Sequence, residues 1–400
     1  MAVTQSSDCG LHCSVYALTA TRTANFIANE NIKGPPVRST ILGTEPQPAA
    51  IDTARARSTH RGNSCNNLLP CKLPKIVSLF SGAGGLDWGF HYHGFEIPLA
   101  IDVSVAAVKT HKKNFKATHS VVADLIQLGP RGVLAQVTEQ IPRGERIGII
   151  GGPPCQGFSR ANINSHTDDP RNKLPALYLD IVETLKQHYV VEFVVFENVL
   201  GIRDKKHSTT YREIINRLGK LNFTVTEKEL CALDFGVPQN RHRIILSAMR
   251  AGQGYSIVKP NKRRGLSTVR ETIGELTEPI FFQRNLDPLC FPLHPNHWTM
   301  RPKSLRFKKP KSIHSGGRSF RKLVWDEPSP TIAFGHREIH IHPNGNRRLS
   351  IYEAMLLQGF PKSFVLEGNL SEQVEQVSNA VPPPLASSIA AAVKRAMSWG

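Results

Sequence analysis

No run in the 400-residue sequence approaches the ~18 apolar residues of a membrane span, and no basic N-terminal region leads into an apolar segment. A soluble, cytoplasmic protein with no membrane partner is therefore expected. The cysteines, at 9, 13, 65, 71, 155, 231 and 290, form an odd set without a CxxC pair, which argues against a disulfide scaffold or zinc ribbon and for a reducing compartment. The spaced GxGxxG fingerprint of dinucleotide-binding turns is also missing. Acidic residues are scarce beside basic ones: 32 Asp and Glu against 50 Lys and Arg, a net charge of +18. That imbalance suits a polyanionic partner, although a merely basic soluble protein would give the same sum; the location of the charge decides.

Residues 1–72 scatter Ser, Thr, Asn and Ala without periodicity and are expected to be a poorly ordered extension. From Lys75 the pattern changes to short apolar runs closed by glycine or polar residues: KIVSLF, FEIPLAID, HSVVADL, RIGIIGG, EFVVFEN and RHRIILSA. Between them VSVAAVKTHKKNF, LPALYLDIVETLKQH and TYREIINRLGKL carry apolar residues at helical spacing. This alternation predicts an α/β fold, an open and mostly parallel sheet covered on both faces, with ligands outside the carboxyl ends of the strands. SGAGG, Asp102, Asp124, PPC and Glu197 fall at those ends. Near residue 250 the pattern breaks. Between Ala251 and Leu323, fifteen Lys and Arg face four Asp and Glu, a net +11. Proline and aromatic residues there predict an irregular, separately packed unit. SIYEAMLLQGF and LASSIAAAVKRAM then resume the earlier style, so residues 324–400 are expected to return to the domain formed by 73–250.

Three features carry chemistry. Phe80, Ser81, Gly82, Ala83, Gly84 and Gly85 form a glycine-rich turn after the first strand, where a cofactor could approach the backbone closely. Alone, such a turn is equally compatible with a strand-to-helix reversal that holds nothing. Asp102 and Asp124 end the next two strands, placed to accept from ribose hydroxyls and from an adenine amino group respectively; each alone is more often a helix N-cap. Cys155 sits in GGPPCQGFS. A lone cysteine is usually a small buried hydrophobe. Two prolines before it and a glycine after it argue instead for a rigid, exposed loop, where a thiolate could attack an electron-poor carbon. Glu197 in FENV and Gln239, Arg241 and Arg243 in QNRHR could supply an acid and anion stabilisers. His336, His340 and His342 do not complete a metal set, and EIHIHP is predicted to be a strand with one polar face; no metal is expected.

In order, FSGAGG, PPCQGFS, DPRNKL, ENV, QNRHR, a variable insert, RRLSIYEAMLLQGFP and QVSNAVPPPLA resemble the motifs of the DNA (cytosine-5)-methyltransferase family, of the type found in type II restriction-modification systems, over roughly residues 75 to 395. The resemblance implies a Rossmann-like methyltransferase sheet with a smaller target-recognition region over 251–323, and S-adenosyl-L-methionine as methyl donor with S-adenosyl-L-homocysteine as product. It implies that Phe80, Ser81, Gly82, Ala83, Gly84, Gly85, Asp102, Asp124, Leu125, Pro153, Asn379 and Val381 hold this cofactor. Asp102 stands where a glutamate is more usual. Cys155 would add to carbon 6 of a cytosine flipped out of duplex DNA, Glu197 would hydrogen bond at ring nitrogen 3, and Arg243, supported by Arg241, would hold the ring carbonyl. The basic insert would contact phosphates. A monomer is expected, either the partner of a cognate restriction endonuclease that acts on the same site without a stable complex or a solitary enzyme. The alternatives are a transfer-RNA cytosine-5 methyltransferase and a catalytically silent DNA-binding regulator; intact Cys155, Glu197 and Arg243 weigh against the latter.

Overall fold

In the computed structural model the described residues are 72–154, 173–252, 268–283, 287, 291–308, 321–331 and 340–398. The expected extension up to residue 71, Cys155 with the rest of 155–172, Cys290, His336 and much of the basic insert lie outside them.

Short apolar runs become strands because a sheet covered on both faces buries every residue of its central strands. Those strands are β1 (Lys75–Leu79), β2 (Leu99–Asp102), β3 (His119–Val122), β4 (Arg146–Gly151), β5 (Val190–Asn198), β6 (Phe223–Cys231), the two-residue β7 (Gln239–Asn240) and β8 (His242–Arg250). Seven of them form one sheet in the order β3-β2-β1-β4-β5-β8-β6. The first five run parallel, and β8 is antiparallel to both β5 and β6. Strand order reverses between β1 and β4, which pair from Lys75 opposite Ile147 to Leu79 opposite Gly151. In an open parallel sheet this switch point leaves a crevice outside the carboxyl ends.

Helices α1 (Gly85–Tyr92), α2 (Val105–Asn114), α3 (Leu125–Gln140), α4 (Leu174–Lys186) and α5 (Ser208–Lys220) follow successive strands. Leu125 and Val133 of α3, Leu179 and Val182 of α4 and Ile214 of α5 share one core with Val77, Ile149 and Val194 of the sheet. Opposite it, Leu86 and Phe90 of α1 pack with Ile76, Ile150 and Phe193, together with Leu385 and Ile389 of α9 (Pro383–Ser398). Each such fully buried side chain contributes about 1.5–3 kcal/mol. The C-terminal helix thus completes the layer begun by the first.

A third core joins α6 (Val269–Ile273), α7 (Ile351–Leu357) and α8 (Leu370–Asn379): Val269, Ile273, Trp298, Leu349, Met355, Phe360, Phe364 and Val374 pack together with Ala83 and Phe115. Parallel two-residue pairs, β9 (Ile280–Phe281) with β10 (Trp298–Thr299) and β11 (Ser329–Pro330) with β7, are the strand pairings of this part among the described residues. The histidines of EIHIHP depart from expectation. Ile341 makes single bridges to Lys322 and Arg348 in place of a strand, and His340 and His342 are both buried. Trp325 meets His342 edge-on, and His340 Nε2 lies 3.3 Å from the Thr331 carbonyl, so the polar alternation faces the interior. No helix among the described residues is long and apolar enough to cross a membrane.

Candidate active site

The crevice between β1 and β4 gathers the predicted residues from two sides. On the β1 side, Phe80 (φ 53), Gly82 (φ 54) and Gly84 (φ 92) turn the chain sharply into α1. Gly84 is doubly constrained: a side chain would be strained at that φ, and a Cβ would fall 2.4 Å from Phe115 Cε2. Above Gly82 the space is open, with nothing within 4 Å of where a Cβ would stand. Ser81 Oγ is buried and has no partner among the described residues. Asp102, at the end of β2, ties the turn to its neighbour, accepting from the Gly82 N–H and the Ser104 N–H, each at 2.8 Å. Burial holds its carboxyl above the usual range, opposed by those two hydrogen bonds. Asp124 N-caps α3, accepting from Ile126 N at 2.9 Å.

Beside these two carboxylates lies a rim that the sequence reading missed. Val103, 64 % exposed, and Ile126, 50 % exposed, stand apolar and open next to Asp102 and Asp124. The available signal was an apolar residue just after a strand-ending acid. Open glycine backbone, an orphaned hydroxyl, a carboxylate with lone pairs to spare and an apolar rim fit a nucleoside-bearing cofactor.

On the β4 side, Gly151 and Gly152 lead into Pro153, which is buried, and Pro154, which is exposed. A Cβ on Gly152 would lie 2.7 Å from Glu197 Oε2, so only glycine lets this loop pass the carboxylate. Asn198 Nδ2 donates to the Pro153 carbonyl at 3.4 Å and fastens the loop to the end of β5. Glu197 is paired with Arg243, Nε to Oε1 2.8 Å, and both are largely buried. Strand pairing fixes this meeting: β8 runs antiparallel beside β5 with Glu197 opposite Ile245, which brings Arg243 to the end of β5. Burial pushes the Glu197 carboxyl up, and the charges of Arg243 and Arg241 pull it back. Such a group can hold or share a proton with an acceptor in the cleft while a guanidinium balances its charge.

Arg241, 1 % exposed, points elsewhere. Its Nη2 donates to the carbonyls of Ser378 (2.7 Å), in the last turn of α8, and Ala380 (3.0 Å), just after it. Gln358 Nε2 donates to the same Ala380 carbonyl at 2.7 Å, and Gln239 Nε2 donates to Gln358 Oε1 at 2.7 Å. Asn379 is exposed, whereas Val381 is buried with its carbonyl against Gly85. The structure therefore brings together Gly82, Asp102, Glu197, Arg243 and Val381 around one crevice; Cys155, which follows Pro154 in sequence, lies outside the described residues.

The chain matches the profile of the family described as C-5 cytosine-specific DNA methylase over residues 74–395. It is 32% identical over 343 residues to the type II methyltransferase M.MthTI of Methanothermobacter thermautotrophicus, covering 80% of this chain and 97% of that one. It is likewise 32% identical over 339 residues to the type II methyltransferase M1.HphI of Haemophilus parahaemolyticus, covering 82% and 88%. Among solved structures, a candidate DNA modification methyltransferase encoded within an E. coli prophage superposes with a TM-score of 0.66 at 23% identity, covering 82% of this chain and all (100%) of that one. An Entamoeba histolytica methyltransferase superposes at 0.57 and 18% identity, covering 82% and 99%.

Proposed function

The chain belongs to the C-5 cytosine-specific DNA methylase family, and from that membership we propose that it methylates carbon 5 of a flipped-out cytosine within one specific duplex DNA sequence. The observation that carries the mechanism is the buried Glu197–Arg243 pair at the mouth of the PPC loop, 2.8 Å between Nε and Oε1. S-adenosyl-L-methionine would supply the methyl group, with S-adenosyl-L-homocysteine as product. Phe80 to Gly85 would hold it, with Ser81 Oγ as a donor, Asp102 as an acceptor for the ribose, Asp124 and Leu125 for the adenine, Val103 and Ile126 as an apolar rim, and Pro153, Asn379 and Val381 completing the pocket.

Cytosine is too poor a carbon nucleophile to be methylated directly. The Cys155 thiolate adds to carbon 6, and the ring electrons move to carbon 5, which forms the new bond to the methyl carbon. Glu197 shares its proton with ring nitrogen 3 as charge develops there, and Arg243 holds the ring carbonyl; each such interaction is worth roughly 10²–10³ in rate. Loss of the carbon 5 proton to a base then expels Cys155 as thiolate and restores the aromatic ring. Reaching carbon 6 requires the base to leave the stack. The +11 of residues 251–323 supplies phosphate contacts. By likeness to its type II relatives, the enzyme protects host DNA from a cognate endonuclease.

The test is methyl transfer from labelled S-adenosyl-L-methionine to duplex DNA and, in parallel, to transfer RNA. Label in carbon 5 of DNA cytosine is expected, with none in RNA. Label in RNA alone would make the transfer-RNA reading correct, and no label with no binding of S-adenosyl-L-homocysteine would favour a silent DNA-binding relative.

A further inference from the structure

Arg241 stands two residues before Arg243 and does different work. A buried arginine is costly unless its donors are used; Arg241 Nη2 finds the Ser378 and Ala380 carbonyls, while its Nε is buried without a hydrogen-bond partner among the described residues. Ser378 lies in the last turn of α8 and Ala380 in the short connection to α9 that carries Val381. The Val381 carbonyl in turn packs so closely on the glycine turn that a Cβ on Gly85 would fall 2.3 Å from it. Gln358, at the end of α7, donates to Ala380 O as well, and Gln239 of β7 holds Gln358. Two polar side chains, Arg241 and Gln358, thus converge on one backbone segment beneath the cofactor turn, and Gln239 holds the second of them. From the same stretch of chain, Arg243 reaches Glu197.

We propose that Arg241 is a positioning residue that couples the two halves of the site: it fixes the end of α8 and the connection after it, residues 378–381, against the cofactor turn, while β8, which starts at the next residue, presents Arg243 to Glu197. The proposal rests on reading the Phe80–Gly85 turn as the cofactor cradle. It separates the two arginines of QNRHR by function. Arg243 belongs to the chemistry at the base, and Arg241 to the order of the cofactor pocket.

The experiment measures S-adenosyl-L-homocysteine affinity by calorimetry and DNA affinity by gel shift for full-length wild type, Arg241→Met, Arg241→Lys and Gln358→Leu. Removing donors from buried carbonyls is expected to weaken S-adenosyl-L-homocysteine binding about tenfold or more in Arg241→Met and about threefold in Gln358→Leu, with Arg241→Lys between wild type and Arg241→Met. DNA affinity should stay at the wild-type value. KM for S-adenosyl-L-methionine should rise more than kcat falls, a split that a general loss of stability would not produce. A folded Arg241→Met that binds S-adenosyl-L-homocysteine as tightly as wild type overturns the proposal. If that variant does not fold, the same result in Gln358→Leu overturns it. Wild type that binds no S-adenosyl-L-homocysteine overturns the cofactor reading and this proposal together, whereas tight binding by wild type and both variants overturns only the proposal.

Discussion

At Glu197 burial and charge pull against each other. Its carboxyl lies above the ordinary range because burial disfavours the anion more than Arg243 and Arg241 favour it. If the protonated or proton-sharing form assists at ring nitrogen 3, single-turnover methylation should decline as pH rises through this elevated value. Glu197→Gln, which keeps an N–H donor but cannot titrate, should lower the rate roughly 10²-fold and flatten that alkaline decline. An equally steep decline in the variant would assign the titration to another group. At this scale the sequence was informative about identity and poor about direction. Glu197 and Arg243 stood out in the sequence as candidates for an acid and an anion stabiliser, and the structure pairs them. Arg241 looked like a twin of Arg243, because nothing in QNRHR shows that one guanidinium reaches forward to β5 while the other reaches the end of α8 and the connection after it. Gln358 was hidden inside an apolar helical run.

Among the elements, the glycine turn and β2 form a unit. Asp102 accepts from Gly82 N and Ser104 N, so Asp102→Ala would leave two backbone donors without their acceptor as well as removing the proposed ribose partner. Calorimetry should show S-adenosyl-L-homocysteine binding weakened by roughly 10-fold to 100-fold, with Tm lowered by a few degrees. Wild-type affinity would mean that the turn holds its shape, and the cofactor, without this carboxylate. The central strands and α2, α4 and α5 were readable because burial on both faces or on one stripe leaves unbroken apolar periodicity. Two elements among the strands of the main sheet and helices α2–α5 were not. Residues Leu125–Gln140 escape as a helix because Gly129, at φ 62, and Pro130 interrupt it after one turn. Strand β6 escapes because it is the outer strand and keeps only Phe223 and Leu230 buried in FTVTEKELC. In EIHIHP the two described histidines depart from an open polar face: His342 meets Trp325 and His340 lies by the Thr331 carbonyl, both buried.

Across the whole molecule, charge and buried histidines set the response to solvent. A net +18, with +11 between residues 251 and 323, makes DNA association depend on counterion release. Binding to a nonspecific duplex is expected to weaken roughly 10³-fold between about 50 mM and about 200 mM salt, as measured by gel shift or anisotropy. His294 and His340 are held at about 4, in each case chiefly by burial, against an ordinary value of 6.5. The unfolded chain therefore takes up protons near pH 6.5 that the folded protein accepts only near 4. The neutral folded form is favoured above that window, and stability is lost as pH falls from about 6.5 toward 4. Tm should drop across this interval, and less steeply in His340→Asn.

The most direct measurement is sequencing for 5-methylcytosine in plasmid DNA recovered from cells expressing the wild-type chain or Cys155→Ser. Wild type should leave 5-methylcytosine at one recurring DNA sequence, and Cys155→Ser, though it still binds DNA, should leave none above background. Unmethylated plasmid from wild-type cells, or equal methylation by the two proteins, would contradict cytosine-5 methylation through Cys155.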